Sequence, residues 1–193
     1  MQKKPLKIQQ GWLENAEQIP SPHYDQRPDP TDISLLVIHY ISLPPEQFEV
    51  RYINDFFQGK LDPSQHPYFQ QIKDLRVSAH CLIGRQGELI QYVNFNQRAW
   101  HAGVSCFAGR EKCNDFSIGI ELVGSDQQAF TELQYQKLAE LTQQIMQHYP
   151  LITLERIVGH CHIAPTRKID PGKYFAWAHY FSLLDKYRHS TAV

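Results

Sequence analysis

The order of elements legible in this chain predicts a mixed α/β fold: one domain with a central mixed β-sheet flanked by α-helices. Three observations predict it. Apolar, partly β-branched runs recur at Ser34–His39, Ser117–Val123 and Arg156–His160. Segments with helical spacing of apolar residues lie between and after them, at 48–59, 131–150 and 175–187. The chain has 193 residues, 42% of them hydrophobic, which is enough for one substantial core and short for two. No internal repeat and no linker divides it.

In order, residues 1–33 are rich in Pro, Gln and Asp, and Pro20-Ser21-Pro22 and Arg27-Pro28-Asp29-Pro30 break any regular element. They are expected to wrap, as extended chain and turns, a domain spanning 34–190. Residues 34–39 make the first buried strand, stopped by Leu43-Pro44-Pro45. A helix with Phe48, Tyr52, Phe56 and Phe57 near helical spacing follows and ends around Gly59. One short helix is expected within 61–75, then a hairpin of strands 76–83 and 88–93 around Gly84-Arg85-Gln86-Gly87. Residues 100–114 read as loop. Ser117–Val123 is a central strand, and Thr131-x-x-Gln134 opens a helix as a capping box, with Leu133, Leu138, Leu141, Ile145 and Met146 as its buried stripe. A strand over 156–160 and a final helix over 175–187 complete the chain.

Composition excludes several classes. The formal net charge is −1, so no broad basic face is implied and nucleic acid is not an expected partner. The first ten residues are basic but lead into no apolar h-region, so export by the usual signal is not expected. No segment approaches the roughly 20 apolar residues of a membrane span. Cys81, Cys106, Cys113 and Cys161 show no Cys-x-x-Cys spacing, and reduced thiols are expected.

The densest chemistry lies in Gly159–Gly172, where the strand-like 156–158 run rises to His160 and an irregular Pro-containing return carries Asp170. Two donors leave a tetrahedral zinc short of protein ligands. Ser34–His39 offers a third, another apolar run ending in histidine. Taken alone, His39 reads more simply as a satisfied core residue. His160 with His162 is a rival pair, since residues two apart on a strand share a face; Ile163-Ala164-Pro165 argues that the strand ends too soon for that. The chain has ten histidines, and His23, His66, His148, His179 and His189 read as surface or cap residues.

His39 after its strand, Ile118-Gly119-Ile120-Glu121, and Gly159-His-Cys-x-Ile-Ala-Pro-x-Arg-Lys-x-Asp-Pro-Gly172 together resemble the AmpD family of zinc N-acetylmuramyl-L-alanine amidases. The resemblance runs collinearly from about Gly11 to Trp177 and takes in Ser78-Ala79-His80-Cys81 and Ala99-Trp100-His101-Ala102-Gly103. It implies an amidase type 2, peptidoglycan-recognition-like fold and one zinc per chain on His39, His160 and Asp170, with His162 at the rim.

Zinc held by two imidazoles and a carboxylate keeps an open position and lowers the pKa of water. Glu121 fits the acid/base role: residues 117, 119 and 121 share a strand face, Ser and Gly are expected to leave open space beside the carboxylate, and burial is expected to raise its pKa. Lys168 reads alone as an exposed lysine; the resemblance gives it a catalytic role, stabilising the oxyanion. Trp100 can stack on a sugar or pack in the core. By resemblance Arg76, Lys112 and Arg167 are expected to hold peptide carboxylates. Tyr40 stands where the family commonly has Asn, which alters or removes one substrate hydrogen bond. The expected activity is cytosolic hydrolysis, by a monomer, of the bond between (anhydro)-N-acetylmuramic acid and L-alanine in small-molecule muropeptides during cell-wall recycling, without membrane association. The rivals are a non-catalytic peptidoglycan recognition module, which would lose ligands, and an exported lytic amidase.

Overall fold

The structure, a computed structural model, describes residues 6–190; residues 1–5 of the wrapping segment lie outside the described residues. Its centre is a six-stranded sheet in the order Ile157–Gly159, Leu35–Ile41, Ser117–Val123, Cys81–Ile83, Leu89–Gln91, Glu17–Gln18. The first four strands run parallel, and Cys81–Ile83 with Leu89–Gln91 forms the antiparallel hairpin. This is the mixed sheet expected.

The sequence alternation decides what each face meets. Leu36, Ile38, Ile118, Ile120 and Leu122 belong to one cluster with Leu138, Leu141 and Ile145 of α3 (Glu132–His148) and Tyr180 and Leu184 of α5 (Trp177–Ser190). Toward the opposite face, Leu82, Ile90 and Val123 pack with Ile53, Phe56 and Phe57 of α1 (Val50–Phe57) and Phe69 and Ile72 of α2 (Pro67–Ile72). Every residue of 117–123 is buried, as a parallel strand covered on both faces requires. α3 starts at Thr131 with the expected capping box. Leu133, expected in its buried stripe, is 45% exposed, and Tyr135 is buried instead.

Other boundaries moved for tertiary reasons. The first strand runs on to Ile41 because Tyr40 and Ile41 continue the ladder with Leu122 and Val123. Residues 76–80 are not a strand: Ser78 and His80 donate singly to the Trp100 and Gly119 carbonyls. The last strand stops at Gly159, and His160 begins α4 (His160–Ile163), a single turn. Within 100–114, a ladder joins Cys106–Phe107 to Arg110–Glu111. All four cysteines are free.

The N-terminal segment does more than wrap. Glu17–Gln18 forms the edge strand, Tyr24–Gln26 pairs with Gln97–Ala99, and Arg27 buries its guanidinium against the carbonyl oxygens of Phe95, Asn114, Asp115 and Ser117. Burial pushes that guanidinium down to about 10. His23 is buried too, with Nδ1 3.1 Å from the Val77 carbonyl, so the expectation of a surface residue does not hold for it. His66 caps α2 through Nδ1, as a cap residue should.

Candidate active site

Parallel pairing sets Glu121 directly beside His39, both toward the carboxyl ends of neighbouring strands. His160 follows the next strand at the same end, where open α/β sheets place ligands. Gly159 lets the Asp170 loop return closely, because a Cβ there would stand 2.5 Å from Pro171 Cδ. Cys161 N–H donates to the Asp170 carbonyl at 2.9 Å and holds that return.

The result is a buried cluster. Asp170 Oδ2 lies 2.9 Å from His39 Nδ1 and 3.1 Å from His160 Nδ1, and the two Nδ1 atoms are 3.0 Å apart. These separations are slightly tighter than the roughly 3.4 Å edge of a tetrahedron with ~2.0–2.1 Å metal bonds. Two imidazole lone pairs and a carboxylate converging on one point fit a divalent cation. Among the described residues this is the one such group of three. Burial alone would raise Asp170, but in the metal-free protein the His160 and His39 rings beside it hold it well below the usual carboxylate range. Burial lowers His39 despite Asp170, favouring the neutral ring that a metal needs.

His162 is not part of the cluster. Its Nδ1 accepts from the Gly159 N–H at 3.0 Å, and its ring lies 5.6 Å from that of Trp177. The rival pair with His160 is therefore not formed, because residues 160 and 162 sit on a helical turn rather than a strand.

Glu121 is buried beside this cluster with Oε2 lacking any hydrogen-bond partner. Burial, reinforced by Asp170 and opposed by Lys168, raises its pKa well above the usual value. Both residues line one cleft of about 620 Å³, together with Tyr40, Trp100 and Arg167. Burial pushes the Tyr40 phenol up to about 12, so it remains a hydrogen-bond donor at neutral pH. Trp100 is held edge-on to Asp25, donating Nε1–H at 3.1 Å. The Arg167 guanidinium donates to the Ala102 and Val104 carbonyls at 2.7 and 2.9 Å. Arg76 is exposed and donates to the Lys73 and Leu75 carbonyls; its neighbours Leu75 and Val77 line the cleft, and Arg76 itself is not part of that lining. Lys112 lines a neighbouring cavity with Val104 and Thr166.

The space that Ser117 and Gly119 were expected to leave is filled. The His101 ring sits there, its Nε2 3.1 Å from Ser117 Oγ and its Nδ1 2.9 Å from His39 Nε2. Behind it His80 accepts the Gly119 N–H at Nδ1. Desolvation keeps His80 and His101 neutral. Sequence reasoning missed both; the available signal was a pair of small residues on the buried face of a central strand, which calls for a filler from elsewhere.

With the geometry in place, comparison with known proteins gives a consistent result. The N-acetylmuramoyl-L-alanine amidase family matches residues 29–173. The chain is 67% identical over 175 residues to the 1,6-anhydro-N-acetylmuramyl-L-alanine amidase AmpD of Haemophilus influenzae, covering 91% of this chain and 95% of that protein. A crystal structure of a selenomethionine AmpD derivative matches with a TM-score of 0.89 and 56% identity, over 92% of this chain and 98% of that one. The amidase AmiD from E. coli, solved with anhydro-N-acetylmuramic acid-L-Ala-D-γ-Glu-L-Lys, matches at 28% identity and a TM-score of 0.56, over 94% of this chain and 66% of that one.

Proposed function

The chain belongs to the N-acetylmuramoyl-L-alanine amidase family, and we propose that it hydrolyses the amide between 1,6-anhydro-N-acetylmuramic acid and L-alanine in soluble muropeptides, using zinc on His39, His160 and Asp170. The observation that carries this reading is Glu121: a buried carboxylate whose Oε2 has no hydrogen-bond partner, beside three converging metal donors in one cleft. A zinc ion in that cluster supplies a Lewis acid that acidifies water and polarises the amide carbonyl.

The remaining work falls to the chain. Glu121 takes the proton of the attacking water and returns it to the L-alanine nitrogen as the C–N bond breaks. Burial raises its pKa in the metal-free protein, and a zinc cation beside it would oppose that shift. Lys168 offers N–H donors to the oxyanion that develops at the former carbonyl. Trp100 and Tyr40 provide an aromatic wall and a phenol donor along the cleft, and Arg167 places a cation at its edge. Arg76 and Lys112, further out, are proposed to reach only the distal peptide carboxylates.

The proposed working unit is a monomer, a single domain of 34–190 against which residues 6–26 add strands to the central sheet and to Gln97–Ala99. The proposed place of action is the cytosol, in cell-wall recycling. Among the described residues no helix is long and apolar enough to cross a membrane.

Mass spectrometry of products tests the reading. Anhydromuropeptide should yield free stem peptide and anhydromuramyl sugar, and a chelator should stop the reaction. Intact sacculus should be turned over far more slowly. Binding without cleavage, or comparable rates on sacculus, would overturn the assignment.

A further inference from the structure

One short segment holds the outer nitrogens of both imidazoles in the metal cluster. His39 Nε2 lies 2.9 Å from His101 Nδ1, and His160 Nε2 lies 3.0 Å from the Ala102 carbonyl oxygen. The segment is itself pinned. Asn114 Oδ1 accepts from the backbone N–H of His101 at 3.1 Å and of Ala102 at 2.8 Å, and Arg167 donates to the same Ala102 carbonyl. The His101 ring then lies over Gly119, where any Cβ would stand 2.5 Å from ring atoms, and its Nε2 reaches Ser117 Oγ at 3.1 Å.

We propose that His101 is a positioning residue for the metal site: it accepts the Nε2–H of His39 and so fixes the tautomer and tilt that turn the Nδ1 lone pair of His39 toward the ion. This rests on the reading of His39 as a ligand. A neutral imidazole carries one proton, so a ring that gives Nδ1 to a metal must carry it on Nε2 and needs an acceptor there. His101 Nδ1 can accept only when the proton of His101 is on its own Nε2, and Ser117 Oγ stands where that proton must go. The donors therefore point one way, from His39 to His101 to Ser117. For His160 the corresponding acceptor is the Ala102 carbonyl, which can only accept.

The strand face 117–119–121 thus serves two ends at once. Ser117 and Gly119 seat and orient His101, and Glu121 carries the acid/base group. Gly119 is required for its missing side chain rather than for its backbone freedom, since its φ is not in the left-handed region.

The test reads tautomers and affinity, not turnover. In the zinc-loaded protein, long-range ¹H–¹⁵N NMR should show both His39 and His101 protonated on Nε2; an Nδ1-protonated His101 would overturn the proposal. Zinc competition with a chromophoric chelator should show His101→Leu weakened about 10- to 100-fold, the usual cost of losing an outer partner of a ligand. His101→Asn, whose Oδ1 can take the place of Nδ1, should recover most of that loss. Gly119→Ala, which must displace the ring, should resemble His101→Leu. Wild-type affinity in His101→Leu, or an Asn variant as weak as the Leu variant, would reject the role. If His101→Leu does not fold, Ser117→Ala decides: a severalfold weaker site supports the relay, and unchanged affinity rejects it. The His39→Ala control separates the two levels. If it keeps zinc, the ligand set fails; if it loses zinc while His101→Leu does not, only the present proposal fails.

Discussion

Glu121→Ala should keep one zinc per chain and lose about 10²- to 10⁴-fold in kcat, the usual worth of a positioned acid/base. Glu121 is not among the three converging donors, so zinc should stay. Its Oε2 has no partner in the fold, so removing it breaks no ion pair and spares the desolvation of a buried carboxyl. The metal-free variant should therefore melt no lower than the parent, which a structural salt bridge would not allow. Lys168→Ala should cost about 10²- to 10³-fold, the worth of one oxyanion donor. Since both residues act in one step, the double variant should lose less than the product of the single losses.

The pH profile adds a sign that can be checked. Glu121 must be ionised to act as base, so kcat/KM falls on the acidic side as it protonates. In the metal-free protein burial and Asp170 raise its pKa and Lys168 lowers it; a zinc ion would lower it further without changing the sign of the Lys168 contribution. Loss of the Lys168 charge should move the acidic limb to higher pH. A limb that stays in place, or near-parental kcat in Glu121→Ala with zinc bound, would remove Glu121 from the mechanism.

What the sequence made legible was local. Period-two alternation placed Glu121 on one face with Ser117 and Gly119, in a strand found at the bounds expected, and the Thr131–Gln134 capping box opened α3 as read. The convergence of His39, His160 and Asp170 joins distant segments and was anticipated through the family resemblance, although His160 reaches it from a helical turn that Ile157-Val158 masked as more strand. What stayed hidden depends on contacts between distant segments. Glu17–Gln18 becomes a strand only because Leu89–Gln91 offers an edge, and nothing in its own pattern says so. Ser117 and Gly119 looked like room for substrate. They are room for His101, and a loop carrying one ring into a sheet leaves no periodic trace. Arg27 escaped for the same reason: its partners are backbone carbonyls of residues 95–117, which have no side-chain signature.

His39→Ala and Asp170→Asn should each leave a folded protein that no longer retains zinc through dialysis, whereas the parent keeps one per chain by elemental analysis. If four protein donors share equally the ~10–16 kcal/mol that holds a structural zinc, one donor is worth about 2.5–4 kcal/mol, roughly a 10²- to 10³-fold change in affinity. The Asn variant keeps the shape of Asp170 but removes the charge toward which both Nδ1 atoms turn. It isolates the electrostatic part. His162→Ala is the matched control. It too lies in the Gly159–Gly172 stretch, but its Nδ1 is engaged by the Gly159 N–H and its ring rests near Trp177, outside the cluster. It should keep full zinc, with at most a small loss of stability where Gly159 gives up its acceptor. Stoichiometric zinc in His39→Ala together with its loss in His162→Ala would transfer the ligand role to the neighbouring pair and dismantle the site described above.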